Sequence, residues 1–386
     1  MNCATATSAF LPRTGVGFAL RSVILGTLAV ALAGCGMTAK PGAEYSPGVH
    51  RGGSSAFTLH HRFTIEIPEG ASQVRAWLPM PSPHDRLQDV TGWQVEAPWV
   101  TTVIEDQWGN SFLMVAGDQP EPGSHEILTA CTLVRSAVSS DQDPELTRPH
   151  TASELEAVAQ WRAPGAEGPL TEPVLLFAEE IVGMEPNPLV AHQQLFHALL
   201  ARVEHVAKTG ATGHRGSSAD CFETSTGDTL DLHALYAASA RALGLPVRTV
   251  YGTLLPVTSE GQEMDPAVTS WIEFNAPELG WIPIDLAIAD LLEATDDPRA
   301  AQRWRARLPL VGRDGEFLDS DGQPSPGDYF GGLESRRVSW HWGGDLKLGQ
   351  AGDPLRWNTG GYVEIDGNPA PITRTLRFAP AANFPP

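Results

Sequence analysis

The segment GDTLDLHALYAASARALGLPVR, residues 227–248, could place reactive groups at the start of a helix. Asp228 and Asp231 lie where carboxylates favour the positive end of the helix dipole. Gly244 lies just after the helical segment, where glycine commonly caps the C-terminus of a helix. The first turn of such a helix is a common position for a reactive cysteine, because the dipole lowers the pKa of a thiol. In this chain the first turn holds Thr229 instead, and a hydroxyl proton is much harder to remove.

His233 lies four residues after Thr229 in the same segment. Residues four apart share one face of a helix, so a contact between these two side chains is predicted. The alternative interpretation of His233 is a packed, hydrogen-bonded histidine of the core.

Two further motifs follow at strand-like positions. They are TSWIE at 269–273 and GWIPID at 280–285. Together with GDT at 227–229 and GLPVR at 244–248, they resemble the transglutaminase-like superfamily, whose core is a papain-type thiol fold. The pattern of that family is Gly-Asn/Asp-Cys, a helix, Gly-Ile-Pro-Ala-Arg, His-x-Trp-x-Glu, a turn and Gly-Trp-x-Pro-x-Asp.

The resemblance extends over most of the chain after residue 56. A bacterial branch of the superfamily carries a β-domain ahead of the core and further motifs after it. The segments that match this branch are WLPMP at 77–81, GN at 109–110, YFGGL at 329–333, RV at 337–338 and YVEIDG at 362–367.

The resemblance implies a Cys–His–Asp site in which the carboxylate orients the imidazole and the imidazole takes the thiol proton. In this chain the cysteine position holds Thr229 and the histidine position holds Thr269, while Asp285 is kept. We therefore expect a catalytically inactive protein that binds a peptide or glycan-linked peptide in the former cleft. Asp228, His233 and Trp271 are the predicted binding residues beside the three triad positions. Asp285 is also expected to hydrogen-bond to neighbouring backbone.

Two alternatives remain open at this point. Cys221, eight residues before Thr229, is a candidate relocated nucleophile for amide-bond hydrolysis or transfer. The more usual interpretation is a buried structural thiol or half of a disulfide, because a free cysteine commonly packs as a small hydrophobic residue. The other alternative is a structural or assembly component that acts through its β-domain.

The N-terminus has the pattern of a targeting segment. Arg13 and Arg21 precede an apolar run that ends in Leu-Ala-Gly-Cys at residues 32–35, which resembles a lipoprotein cleavage site. The resemblance implies that residues 1–34 are removed and that Cys35 carries lipid. Ordinary cleavage after residue 33 or 34 is the alternative. The remaining thiols, Cys131 and Cys221, would lie in a compartment that allows disulfides, and their pairing stays open.

Turn signals and hydrophobic alternation divide the rest of the chain. The predicted fold is α+β, a β-sandwich followed by helices packed on an antiparallel sheet. Thr151 and Glu154 are predicted to form a capping box for a short helix. The predicted boundaries are a tether at 35–55, the sandwich at 56–138, a linker at 139–172 and the core at 173–386, with an insertion at 291–327 and C-terminal strands.

The net charge of -20 argues against binding to nucleic acid, because phosphates attract clustered lysines and arginines. The histidines and cysteines lack the spacing of a metal site, so we expect neither a metal nor a cofactor. The expected partners are a peptide or glycopeptide and, through the lipid on Cys35, a bacterial membrane that faces the periplasm or the exterior.

Overall fold

The fold is mixed α and β, with a strand-rich N-terminal region and a later region of helices on a sheet, as the sequence predicts. Residues 1–47, which include the predicted signal segment and Cys35, lie outside the described residues. Among the described residues, no helix is long and apolar enough to cross a bilayer. A computed structural model describes residues 48–165, 168–206, 216–293, 325–349 and 354–381.

The N-terminal strands form the two sheets of a sandwich. Alternating side chains of both sheets meet in one apolar layer that includes Phe63, Val74, Leu113 and Ile127. This alternation is the pattern by which the sequence predicts a sandwich. The strands are β1 (Val49–Ile67), β2 (Gln73–Pro79), β3 (Gln88–Glu96), β4 (Val100–Glu105), β5 (Ser111–Asp118) and β6 (Gly123–Ser140).

Helices dominate the middle of the chain. They are α1 (Ala152–Ala157), α2 (Glu172–Val182), α3 (Pro188–Leu200), α4 (Ser218–Thr224), α5 (Thr229–Ala242) and α6 (Leu286–Glu293). The capping box of Thr151 and Glu154 at the start of α1 is confirmed. Short 3-10 turns occur at Pro144–Leu146, Ala159–Trp161, Val257–Ser259 and Pro326–Tyr329.

The core sheet lies against α3 and α5. Its strands are, in spatial order, β12 (Gly280–Ile284), β11 (Thr269–Ala276), β9 (Val247–Leu254) and β13 (Arg337–Trp342), and all neighbours are antiparallel. Helix α5 is buried on every face rather than on one, because α2, α3, α4 and α6 surround it as well as the sheet. The strands of this region are β7 (Glu204–His205), β8 (Thr226–Gly227), β9 (Val247–Leu254), β10 (Glu263–Met264), β11 (Thr269–Ala276), β12 (Gly280–Ile284) and β13 (Arg337–Trp342).

The C-terminal strands differ from the prediction in their partners. They are β14 (Tyr362–Ile365), β15 (Asn368–Ala370) and β16 (Ile372–Pro380). The predicted boundaries assign them to the core, but β14 pairs with β2 and β16 pairs with β1, so they complete the two sheets of the sandwich. Alternation identifies a strand without naming its neighbour, which is why the sequence misplaced them.

The segment after β12 also differs from the prediction. The run from Gly280 to Asp290 reads as one strand in the sequence, but the chain turns at Asp285 and continues as α6. Helix α6 contains the start of the predicted insertion at 291–327. Most of that insertion lies outside the described residues.

The long strand β1 connects the sandwich to the core sheet. Near the C-terminal end of β1, Phe63 packs into the sandwich layer. In the middle of the strand, Phe57 on the same face lies in an apolar cluster with Val338 and Trp340 of β13. Strand β6 runs beside β1 along its whole length. One sheet of the sandwich therefore contributes to the packing of both regions.

A buried ion pair lies where β6 meets the core sheet. Nη1 of Arg135 donates to Oδ2 of Asp85 at 2.6 Å, and both side chains are buried. The Arg135 guanidinium lies 5.4 Å from the ring centroid of Trp271 on β11, and that of Arg337 lies 4.9 Å from the same ring. Burial alone would raise the pKa of Asp85, but the charge and hydrogen bond of Arg135, together with the backbone N–H of Leu87 and the charge of Arg248, hold it below its usual value.

We predict that Asp85→Asn lowers the free energy of unfolding at pH 7 by about 3 kcal/mol, because it leaves the charge of Arg135 buried without its counter-ion. Because the folded-state pKa of Asp85 is lowered, the wild type holds this stability above about pH 4 and loses it as the pH falls further. Urea unfolding measured between pH 3 and pH 7 should therefore show a difference that shrinks with acid. Glu126→Gln, which breaks an exposed pair with Arg62, is the matched control and should change little. A pH-independent difference would contradict the assignment to the ion pair.

Candidate active site

Thr229 is the first residue of α5, and the turn that holds it is closed by hydrogen bonds of its neighbours. Oδ1 of Asp228 accepts from the backbone N–H groups of Leu230 and Asp231, at 2.9 and 3.1 Å. The Asp231 carboxylate accepts from the backbone of Asp228 in return, which completes a capping box. Asp228 is buried in this role, whereas Thr229 is half-buried and keeps contact with solvent. The cap thus fixes the position of the Thr229 side chain.

His205 is the hydrogen-bond partner of Thr229, and no sequence pattern predicts this contact. Nε2 of His205 lies 3.1 Å from Oγ1 of Thr229, and the ring is half-buried. The two-residue strand β7 places it there, since β7 pairs in parallel with β8 and sets His205 opposite Gly227. A two-residue pairing between segments 22 residues apart has no periodic signature, so no pattern pointed to this histidine.

The backbone of His205 is also held from the other side. Its N–H donates to Oδ2 of Asp290 on α6 at 2.7 Å. Burial raises the pKa of Asp290 to about 6, and the nearby charges of Glu204 and Glu293 act in the same direction. The acidic side chains of Glu204, Asp290 and Glu293 therefore lie close to one another, and that of Asp290 contacts the backbone of His205.

Asp285 is fully buried at the end of β12 and binds three partners. Its Oδ1 accepts from the backbone N–H of Ile288 at 3.1 Å and so caps the start of α6. This is a hydrogen bond to neighbouring backbone of the kind that the sequence predicts for Asp285. Its Oδ2 accepts from Nη1 of Arg337 at 3.1 Å, and Arg337 is bound in turn by Glu334. Burial disfavours the charged form of Asp285, but the contact with His233 and the charge of Arg337 outweigh it and lower its pKa.

The histidine beside Asp285 comes from α5 rather than from β11. Nε2 of His233 lies 3.5 Å from Oδ1 of Asp285, which is long for a hydrogen bond and leaves mainly a charge–dipole contact. Nδ1 of His233 lies 2.9 Å from Oγ of Ser270. All three side chains are buried. The predicted contact between Thr229 and His233 is thus replaced by the bonds of Thr229 to His205 and of His233 to Ser270.

Thr269 begins β11 opposite Gly252 of β9 and is 8% exposed. In the part of the chain that the structure describes, no hydrogen bond links its side chain to Thr229 or Asp285. Trp271 is fully buried between the guanidinium groups of Arg135 and Arg337. Of the six residues predicted for the site, only Thr229 therefore keeps substantial contact with solvent.

The two remaining cysteines lie in different apolar clusters, and no disulfide joins them. Burial raises the pKa of Cys131 to about 12. Cys221 is 1% exposed on α4, below the turn that precedes Thr229. Neither thiol can reach a substrate from these positions.

The arrangement separates the chemistry into two parts. One is a half-buried hydroxyl and imidazole, Thr229 and His205, at the solvent end of α5. The other is a sealed polar group of Ser270, His233 and Asp285. Within the described ranges, no group of three or more His, Cys, Asp or Glu side chains could hold a metal ion.

Comparisons with known proteins fit this architecture. A family model described as the transglutaminase-like superfamily matches residues 176–286, a range that contains Thr229, Thr269 and Asp285. A comparison with curated proteins finds no match.

Several solved structures are similar to this chain, including the following two. One is a Cytophaga hutchinsonii protein named as a candidate cysteine protease, with 13% identity and a TM-score of 0.56, covering 88% of this chain and 95% of that one. The other is the periplasmic domain of TgpA from Pseudomonas aeruginosa, with 17% identity and a TM-score of 0.32, covering 65% of this chain and 93% of that one. At 13% identity, the similarity to the Cytophaga hutchinsonii structure concerns the fold alone. By its match to the family model, the chain contains a transglutaminase-like domain at residues 176–286.

Proposed function

We propose that this chain is a lipid-anchored protein of the bacterial cell envelope whose transglutaminase-like core does not use thiol catalysis. Its core binds a peptide or glycan-linked peptide at the solvent end of α5. The observation that carries the proposal is the hydroxyl of Thr229, hydrogen-bonded to His205, at the position where the superfamily pattern has cysteine.

The loss of thiol chemistry is supported by three positions at once. Thr229 supplies no thiolate, and Thr269 supplies no imidazole to take a proton. The Asp285 carboxylate is already engaged by Arg337, His233 and the backbone of α6. A restored histidine on β11 would therefore have to compete for Asp285 with groups buried beside it.

The burial of Cys221 counts against a relocated nucleophile. A Cβ placed on Gly227 would lie 3.0 Å from the Cys221 sulfur, so this thiol lies beneath the turn and not in front of it. A nucleophile has to contact the reacting carbonyl, which the packing around Cys221 prevents.

Fewer residues can contact a ligand than the sequence predicts. Asp228, His233 and Trp271 are buried and shape the site from within rather than touching a ligand. Thr229 and His205 are left as the polar groups that face a ligand. The acidic groups around them favour a ligand that carries positive charge, such as the amine of a peptide.

We predict that thiol alkylation of the native protein labels neither Cys131 nor Cys221, because both are buried and the pKa of Cys131 is raised to about 12. A Thr229→Cys variant should be labelled quickly, since the start of a helix lowers a thiol pKa. Thr269→Cys is the matched control and should react slowly, because this position is buried. Peptide mass spectrometry after treatment with iodoacetamide gives the readout. Rapid labelling of Cys221 together with turnover of an amide substrate would contradict the proposal.

We predict that Thr229→Trp weakens binding to the best ligand of an array of peptides and muropeptide fragments by about tenfold or more, which is 1.4 kcal/mol. The bulky ring would fill the space in front of His205. Thr102→Trp, on the exposed face of β4, should bind as the wild type does. If no array member binds the wild type, the binding role is wrong and the core is an inert spacer for the β-domain.

We predict that the wild type incorporates a palmitate analogue in growing bacteria and fractionates with membranes. Cys35→Ser should incorporate no label and should appear in the soluble envelope fraction, because only the lipid anchors the chain. N-terminal sequencing distinguishes lipoprotein processing from ordinary cleavage after residue 33 or 34. Label that persists in the Cys35→Ser variant would rule out this anchor.

A further inference from the structure

Thr229 and His205 have the geometry of a nucleophile and its base. The distance of 3.1 Å between Oγ1 and Nε2 lies within the range in which an imidazole accepts a hydroxyl proton. Both side chains are half-buried, so they are accessible and at the same time partly shielded from water. A structural hydroxyl–imidazole bond, such as that of Ser270 and His233, is by contrast sealed in the core.

The backbone on both sides of the pair is fixed. The capping box of Asp228 and Asp231 holds Thr229 from the helix side. The pairing of β7 with β8 holds His205, and the backbone N–H of Val206 extends it by donating to the carbonyl of Gly227 at 2.8 Å. Such support from outside the reacting groups keeps a nucleophile and its base in register.

The charges around the pair favour the required proton transfer. When His205 accepts a proton it becomes an imidazolium, and its backbone N–H is bound by the acidic side chain of Asp290 on α6. The alkoxide that develops on Thr229 lies at the positive end of the α5 dipole, which favours negative charge.

We propose that Thr229 and His205 form an acyl-transfer pair that takes an acyl group from an ester and releases it to water. Oγ1 of Thr229 attacks the ester carbonyl while Nε2 of His205 takes the hydroxyl proton. The bond to the ester oxygen breaks, and the alcohol leaves with that proton. Water then attacks the acyl-threonine, again giving a proton to His205 that returns to Oγ1 of Thr229, and the carboxylic acid is released. This activity goes beyond the proposed binding function, which does not depend on it.

The test uses the full chain and p-nitrophenyl butyrate, with released p-nitrophenolate and acid-quenched mass spectrometry as two readouts. Thr229→Val and His205→Gln should each lower the rate by about a hundredfold, in the range that a general base contributes. Thr229→Ser keeps the hydroxyl and should keep the activity, which shows that loss in the valine variant is not misfolding. The acyl adduct should lie on Thr229 and accumulate in no variant that lacks the hydroxyl.

Two matched control variants show whether the loss of hydrolysis is specific to Thr229 and His205. His197→Gln changes an exposed histidine of α3, and Cys221→Ala removes a thiol, and both should hydrolyse the ester at the wild-type rate. Equal rates in the wild type, Thr229→Val and His205→Gln would overturn the proposal, as would an adduct on another residue or no wild-type hydrolysis above buffer. None of these results affects peptide binding, which the Thr229→Trp variant measures separately.

Discussion

The buried carboxylate of Asp285 is the charge around which the core is arranged. It caps α6 through the backbone of Ile288, receives Arg337 from β13 and lies beside His233 from α5. The elements β12, α6, β13 and α5 therefore meet at Asp285, the residue between β12 and α6. A carboxylate buried this deeply is stable as an anion only while these partners stay in place, so the packing of the core and the charge of Asp285 depend on each other.

The local features of the fold could be predicted from the sequence because their causes lie within a few residues. The capping box of Thr151 and Glu154, the start of α5 after Asp228 and the end of α2 at Gly183 each depend on bonds between near neighbours. The alternation of β1 to β6 predicted a sandwich because a buried face leaves a period of two in each strand. These signals come from residues that are close together in the sequence, and long-range packing leaves the predicted caps and strands unchanged.

The remaining features depend on pairings between distant segments. Strand β16 pairs with β1 across more than 300 residues, and nothing in its alternation distinguishes the sandwich from the core sheet. His205 reaches Thr229 only through the short pair of β7 and β8. Helix α5 is surrounded by other helices, so its polar residues Asp231 and His233 are buried with partners instead of marking a solvent face. Sequence patterns of period 2 or 3.6 report which face is apolar, and they say nothing about which neighbour covers it.

The difference between backbone contacts and side-chain contacts also bears on the three positions of the family triad. It indicates which of them can hold another residue without loss of packing. Thr229 is placed by the backbone and by the side chains of Asp228 and Asp231, so a different side chain at 229 leaves the turn intact. Thr269 is held by its pairing with Gly252, and its side chain supports neither Thr229 nor Asp285. Asp285, however, holds α6, Arg337 and His233 through its own side chain, and its loss would leave Arg337 with Glu334 as its remaining buried counter-ion. The side chains at 229 and 269 can thus be replaced without loss of the surrounding contacts, whereas the carboxylate of Asp285 is held in place by the packing that depends on it.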